Sequence, residues 1–160
     1  MVMNSLALQH KEITARVFEH RVKPIDEFRH DLQQLENVLL DLPGVTLRDD
    51  PVTPLSHFFT PDLYARKIEI PAAYVLVTGI HATEHIAVIS KGSCLVATPD
   101  GVIKYQAGDT IITKVGTKRA MLVLEDLIWT TIHAISASTP EEAIEMIEFK
   151  PLEDVPCQYG

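Results

Sequence analysis

The chain has 160 residues, 46% of them hydrophobic, which is enough for one domain with its own core and a modest extension. Its 22 acidic side chains outnumber the 14 basic ones, and the formal charge of -8 argues against a nucleic-acid partner. Cys94 and Cys157 form no disulfide framework, and no apolar run reaches the length of a membrane span. We therefore expect a soluble, unexported protein in a reducing cytoplasm.

Residues 1–44 have the hydrophobic period of helices. A weak helix is expected over 5–20, and a stronger one from Lys23, with Pro24 in its first turn, to the Pro43-Gly44 stop. An apolar stripe on the second helix consists of Ile25, Phe28, Leu32, Leu35 and Leu39. An apolar face with this spacing is compatible with two roles. The helix could pack on the chain's own domain, or it could pair with another subunit of a homo-oligomer or larger assembly.

The remaining chain divides into a connector, a strand-rich domain and a tail. Three prolines within residues 45–62 predict a connector. Over 63–136, eight short runs rich in β-branched and aromatic residues alternate with turn sequences, which indicates a β-sandwich or β-barrel. In residues 137–160, the hydroxyl of Thr139 followed by Pro140 and two acidic residues predicts a short C-terminal helix before the tail.

The segment from His81 to His85, with the sequence HATEH, contains two imidazoles and a carboxylate. It matches the H-x-x-E-H pattern of inverted zinc peptidases, in which a helix brings the two histidines together. Its flanks, YVLVTGI and IAVISKG, are strand-like, and residues four apart in a straight strand are separated by about 13 Å. That separation is too large for two ligands of one zinc ion, so the peptidase interpretation is disfavoured and a shared site requires a bend.

The segment from Gly79 onward resembles the cupin superfamily (RmlC-like), whose first motif contains two histidines, a glutamate and a glycine. His81 matches the second histidine and Gly92 matches the glycine, whereas Gly79 occupies the place of the first histidine and His85 that of the glutamate. The resemblance covers roughly residues 55–135. It implies a mainly β fold, a double-stranded β-helix (cupin or jelly-roll barrel), to which an N-terminal helical extension and a short C-terminal helix are added.

The second cupin motif is less complete. Gly108 and Gly116 match its glycines, Lys114 replaces its proline, and Arg119 stands where the family has a histidine ligand. The resemblance therefore implies only two positions that can bind a metal.

His133 is a candidate third metal ligand beside His81 and His85. Alternation along LIWTTIHA places Trp129, Thr131 and His133 on one strand face, which would line a pocket. Three histidines would hold one divalent transition metal, Fe, Mn, Ni or Zn, and leave a coordination position open. The alternative is that His133 is a buried histidine satisfied by a backbone carbonyl.

Arg119 and Glu84 are candidate ligand-binding residues together with Trp129 and Thr131. A guanidinium stays charged and has no lone pair for a metal, so an inward Arg119 would turn the site toward anions. The alternative is a solvated Arg119 that follows Lys118 in an exposed turn. Glu84 faces away from the histidines on alternation, unless the bend directs it into the site.

Two function classes follow, and the lost ligand positions favour the first. It is a cupin-like small-molecule-binding or structural module without metal, which assembles through its N-terminal helices and takes a small polar or anionic ligand. The second is a metal-dependent cupin enzyme of the isomerase, dioxygenase or lyase type. The chain also resembles small cupin-like proteins of tailed phages and prophages in the runs GIHATEH, GTKR and WTTIHA, which would place it in the host cytoplasm or the virion.

Overall fold

The structure, a computed structural model, describes residues 2–4, 11–43 and 51–149. The described elements follow in the order β1 (Val2–Asn4), α1 (Lys11–Val17), α2 (Ile25–Asp41), β2 (Leu55–Phe59), β3 (Tyr64–Ile70), β4 (Val75–Val77), β5 (His85–Thr98), β6 (Gly101–Gln106), β7 (Thr110–Thr113), β8 (Ala120–His133) and α3 (Pro140–Ile147). Within these ranges no helix has the length and apolar character needed to cross a membrane.

Strands β5 and β8 are the two long strands of the barrel, and they pair with each other along most of their length. The N-terminal half of β8 also pairs with β4, and its C-terminal half pairs with β3. Strand β5 pairs with β7 at its start and with β6 at its end, while β1 and β2 extend the sheet beyond β4 and β3. Two antiparallel halves thus share β5 and β8, as in a double-stranded β-helix. The predicted mainly β fold with N-terminal helices and a short C-terminal helix is confirmed.

Three sequence predictions about the strands are wrong in detail. The runs on either side of Gly92 form the single strand β5, because the chain passes this point through irregular pairing with β8 and not through a hairpin. The last two predicted strands likewise merge into β8. Strand β2 lies inside the predicted connector 45–62, since Pro54 and Pro61 flank the strand and do not interrupt it.

The apolar stripe of α2 is buried against the barrel of its own chain. The stripe packs on outward-facing side chains of β4, β5 and β8, namely Val75, Val77, Ala97 and Ala120. The inward-facing side chains of both barrel halves form a separate core, which includes Leu76, Ile89, Val96 and Trp129. Of the two uses that the helical spacing allows, packing on the parent domain is therefore the one observed.

A buried ion pair joins the two N-terminal helices, and its lysine also contacts the barrel through its backbone. The Lys23 ammonium donates to Asp31 Oδ2 at 2.8 Å and to the Arg16 carbonyl, and the two charged side chains are only 2% and 6% exposed. The backbone N–H of Lys23 donates to the carbonyl of Pro99 at 2.7 Å, in the turn after β5. Lys23 thus links α1, α2 and a barrel turn.

Gly92 is expected to tolerate alanine less well than Gly108, although both have a positive φ. A Cβ at Gly92 would lie 2.2 Å from the Asp126 carbonyl oxygen, whereas a Cβ at Gly108 would meet nothing within 4 Å. The left-handed backbone costs both variants about 1–2 kcal/mol, and we expect the clash to cost Gly92→Ala roughly 1–2 kcal/mol more. Chemical denaturation of the two variants measures this difference, and equal losses would contradict it.

Candidate functional site

His81 and His85 lie together because the chain bends between β4 and β5. His81 lies in the connecting loop, where its N–H donates to the Thr117 carbonyl at 3.0 Å and its carbonyl accepts from the Gly116 N–H at 2.8 Å. His85 is the first residue of β5. The ring centroids are 4.8 Å apart, compared with about 13 Å along a straight strand. The bend that a shared site requires is therefore present.

A cavity of about 50 Å³ opens inside the barrel beside these histidines. Its polar lining consists of Arg66, Thr78, His81, His85, Arg119 and Thr131. Its apolar lining consists of Leu55, Ile68, Ile70, Leu76, Met121 and Trp129. The predicted ligand-binding residues Arg119, Trp129 and Thr131 thus line one cavity together with two of the predicted metal ligands.

Arg119 points into the barrel and is only 7% exposed, so the alternative of a solvated side chain in a turn is wrong. Its guanidinium donates to the Thr113 hydroxyl and lies 5.8 Å from the centre of the Trp129 ring. Burial lowers the pKa of Arg119 below its usual range, but a guanidinium still carries its charge at neutral pH. Among the residues that the structure describes, no carboxylate forms an ion pair with Arg119. Within the described ranges, the cavity therefore holds a buried cation without a counter-ion.

His133 is fully buried behind His85, with the two ring centroids 4.3 Å apart. Its Nδ1 lies 2.8 Å from the Thr83 hydroxyl and its Nε2 lies 3.0 Å from the Thr131 hydroxyl. The alternation along β8 correctly predicts that Trp129, Thr131 and His133 lie on its buried face. The prediction of His133 as a third metal ligand stays a prediction; in this arrangement both ring nitrogens contact threonine hydroxyls, and the residue does not line the cavity.

Glu84 lies outside the cavity, and its role as a ligand-binding residue stays a prediction. Its carboxylate accepts from the Lys114 ammonium at 2.9 Å, and both side chains are more than half exposed. The bend moves the two histidines together but leaves the outward direction of Glu84 unchanged.

The three imidazoles are neutral at physiological pH. Burial lowers the pKa of His81 to about 2, with the positive charge of Arg119 as the next cause. Burial lowers the pKa of His133 to about 3 and also lowers that of His85. Each ring therefore offers both a hydrogen-bond donor and an acceptor, and none of them adds charge to the cavity.

Acid is expected to destabilise the protein through these rings. Because the folded pKa values of His81 and His133 lie below the ordinary 6.5, the unfolded state binds more protons below pH 6.5. Stability then falls as the pH drops from 6.5 toward 3, by about 2 kcal/mol between pH 7 and 5.5 for the two rings. Denaturant unfolding at several pH values should show this loss, and it should be smaller in the variant with His81→Gln and His133→Gln. An unchanged pH slope in that variant would contradict the assignment.

The cupin resemblance implies a divalent metal, and the residues present do not fit one. In favour of a metal, His85 Nε2 is buried and has no hydrogen-bond partner. Against it, both nitrogens of His133 are occupied and the Arg119 cation lines the same cavity. In the described ranges, no group of three or more His, Cys, Asp or Glu side chains is arranged to hold an ion.

Two residues that the sequence predictions omit complete the site. Arg66 lines the cavity and lies 3.5 Å from Glu148, the residue after α3. Glu148 reaches this position because Phe149 N–H donates to the Ile80 carbonyl at 3.0 Å. A Cβ at Gly79, where the cupin motif has its first histidine, would lie 3.0 Å from Glu148 Oε2. A carboxylate from the C-terminal segment thus borders the place of that lost ligand.

Three solved structures of cupin proteins are similar in fold to this chain. An RmlC-like cupin family protein from Methanocaldococcus jannaschii is 14% identical, and the match covers 57% of this chain and 87% of that chain with a TM-score of 0.46. A cupin-2 domain containing protein from Shewanella frigidimarina is 13% identical over 55% of this chain and 84% of that chain, with a TM-score of 0.44. KdgF from Halomonas sp. is 17% identical over 55% of this chain and 85% of that chain, with a TM-score of 0.47. No protein-family model matches the sequence, and no curated protein matches it.

Proposed function

We propose that the barrel binds a small anion at the Arg119 guanidinium. The observation that carries this proposal is a cation that is 7% exposed and forms no described ion pair, inside a cavity. A buried charge without a partner is costly, and an anionic ligand would supply the missing counter-charge. The binding-module class is therefore favoured over metal chemistry.

The groups around Arg119 suit a carboxylate. Thr113 accepts one hydrogen bond from the guanidinium, which has five N–H groups and can bind a carboxylate through two parallel ones. The Trp129 ring contacts the guanidinium on one side and limits the rotamers of Arg119. Less side-chain entropy of Arg119 is then lost when a ligand binds. Arg66 already lies beside Glu148, so Arg119 is the cation that such a ligand would neutralise.

Trp129 is the only tryptophan of the chain and lines the cavity, so its fluorescence reports on occupancy. With a chelator present, acetate should change its emission and saturate, whereas acetamide, the neutral analogue of the same shape, should have no effect. Equal responses to both compounds, or no response to either, would refute anion binding.

The metal-dependent enzyme is the second candidate, favoured by the unpartnered Nε2 of His85. We expect untagged protein to contain much less than one transition metal ion per chain by elemental analysis. About one ion per chain, lost in the double variant His81→Ala and His85→Ala, would instead favour the enzyme.

Assembly into a homo-oligomer stays a prediction. Because the apolar stripe of α2 is covered by its own barrel, subunits would have to meet through other surfaces. Light scattering of the purified protein measures the mass. A phage origin and a location in the host cytoplasm or virion also stay predictions.

A further inference from the structure

We propose that the chain forms a twofold dimer, in which a second copy packs on a row of exposed apolar side chains on the outer face of the barrel. The row crosses the strands β7, β5, β8, β3 and β2, and its members pair directly with one another in the order Ile112, Ile86, Ile132, Ala65 and Phe58. The row lies on the back of strands that line the cavity, and the proposal does not depend on anion binding.

The apolar row is open to solvent in the part of the chain that the structure describes. Ile112 is 65% exposed, Phe58 53% and Ile86 45%. Alternation along the strands explains their direction, because the adjacent residues Ile111 and Ala87 belong to the barrel core. Exposed apolar side chains that lie side by side across a sheet are typical of a protein interaction surface.

The outer face is large enough for a specific dimer. Five strands at a spacing of about 4.8 Å, and a length of seven residues as in β3, give a face of about 24 by 24 Å. Two such faces would bury about 1,100 Å² in total, because sheets pack face to face with their strands roughly aligned. This area is at the lower limit of specific interfaces, so we expect a Kd in the micromolar range.

The charges on this face favour a second copy of the chain as the partner. The formal charge of -8 makes two copies repel each other over most of their surface. The outward residues of the central strand β8 are Ile128, Thr130 and Ile132, and the charged residues that pair directly with them are Lys67, Glu69 and Lys91. These three charges sum to one positive charge, so an identical acidic chain can approach this face without that repulsion.

Glu69 and Lys91 also select the orientation of the two copies. Both pair with Ile128, Glu69 from β3 and Lys91 from β5, so they flank the central strand at the same level. A twofold axis parallel to β8 and midway between the two faces exchanges these flanks. It places Glu69 of each copy opposite Lys91 of the partner subunit, and it lays the two apolar rows on each other. The two ion pairs and the apolar contact would therefore form together.

The mass of the wild type and of Ile86→Lys tests the apolar contact. In sedimentation velocity over about 1 to 100 μM, the wild type should change from the 17.8 kDa monomer to a dimer. Ile86→Lys should weaken the dimer by about 30-fold or more, since each subunit would bury an ammonium against the partner's apolar row. The added lysine makes the net charge less negative, so overall repulsion cannot cause this loss.

Val22→Lys is the matched control, because Val22 is 70% exposed in the loop between α1 and α2 and lies outside the apolar row. It should dimerise like the wild type. A monomeric wild type at the highest concentration, or an undiminished dimer in Ile86→Lys, would overturn the proposal. If the wild type were monomeric and Ile86→Lys lost stability in denaturant while Val22→Lys did not, a segment of the same chain would cover the row instead.

Charge reversal tests the orientation. Glu69→Lys should weaken the dimer by about tenfold, because it places two lysines opposite each other on both sides of the axis. Adding Lys91→Glu restores opposite charges and should recover most of the wild-type affinity. A Glu69→Lys variant that dimerises like the wild type, or a double variant that recovers nothing, would overturn this arrangement of the dimer.

Discussion

Replacing Asp31 by alanine is expected to lower the free energy of unfolding by about 3 kcal/mol, because it leaves the Lys23 ammonium buried without its carboxylate. Lys23 is 2% exposed, and the nearest other carboxylate, on Glu19, is 3.4 Å away and much more exposed than Asp31. Denaturant unfolding followed by circular dichroism measures the loss.

Two variants show whether the loss comes from the buried charge. Replacing both partners, with Lys23→Met and Asp31→Leu, should recover most of the lost stability, since no unpaired charge remains. Lys67→Ala breaks the more exposed pair with Glu69 and should change stability by less than about 1 kcal/mol. If Asp31→Ala had as small an effect as Lys67→Ala, the buried Lys23–Asp31 pair would not contribute to the stability of the helical part.

Replacing Arg119 by leucine is expected to abolish anion binding while leaving the ligand-free protein as stable as the wild type or more stable. The loss of a buried charge partner weakens binding by about 30-fold or more. The substitution also removes a buried cation that no described carboxylate compensates, so the hydrophobic replacement relieves a desolvation cost. Thermal unfolding with and without acetate measures both effects.

Lys114→Leu is the control for Arg119→Leu because it removes the same charge outside the cavity, from an exposed pair with Glu84. It should retain acetate binding. A strongly destabilised Arg119→Leu would mean that the guanidinium is a structural group, and retained binding would mean that the anion lies elsewhere.

Local patterns explain which parts of the site the sequence predicts. Alternation along β8 is a property of any extended strand, so it places Trp129, Thr131 and His133 on the buried face. The strand-like flanks of HATEH establish only that a shared histidine site needs a bend, and the structure brings the two rings within 4.8 Å. The same alternation along β3 could have identified Arg66, which shares a face with the buried residues Tyr64 and Ile68.

Contacts between distant segments explain what the sequence does not predict. Glu148 is 82 positions from Arg66 and reaches it only because α3 docks beside the loop of residues 78–84. Whether His133 Nδ1 is available to a ligand likewise depends on the Thr83 hydroxyl. Thr83 is 50 positions away in the sequence, and a strand pattern cannot predict that the two side chains meet. Hydrophobic period carries no information about such polar pairings.

The central claim is that Arg119 holds a small anion in the barrel without a metal, and a calorimetric titration of acetate into chelator-treated wild-type protein tests it most directly. We predict saturable binding with one acetate per chain, which disappears in Arg119→Leu and persists in Lys114→Leu. No binding to the chelator-treated wild type, followed by binding once a divalent transition metal is added, would contradict the claim.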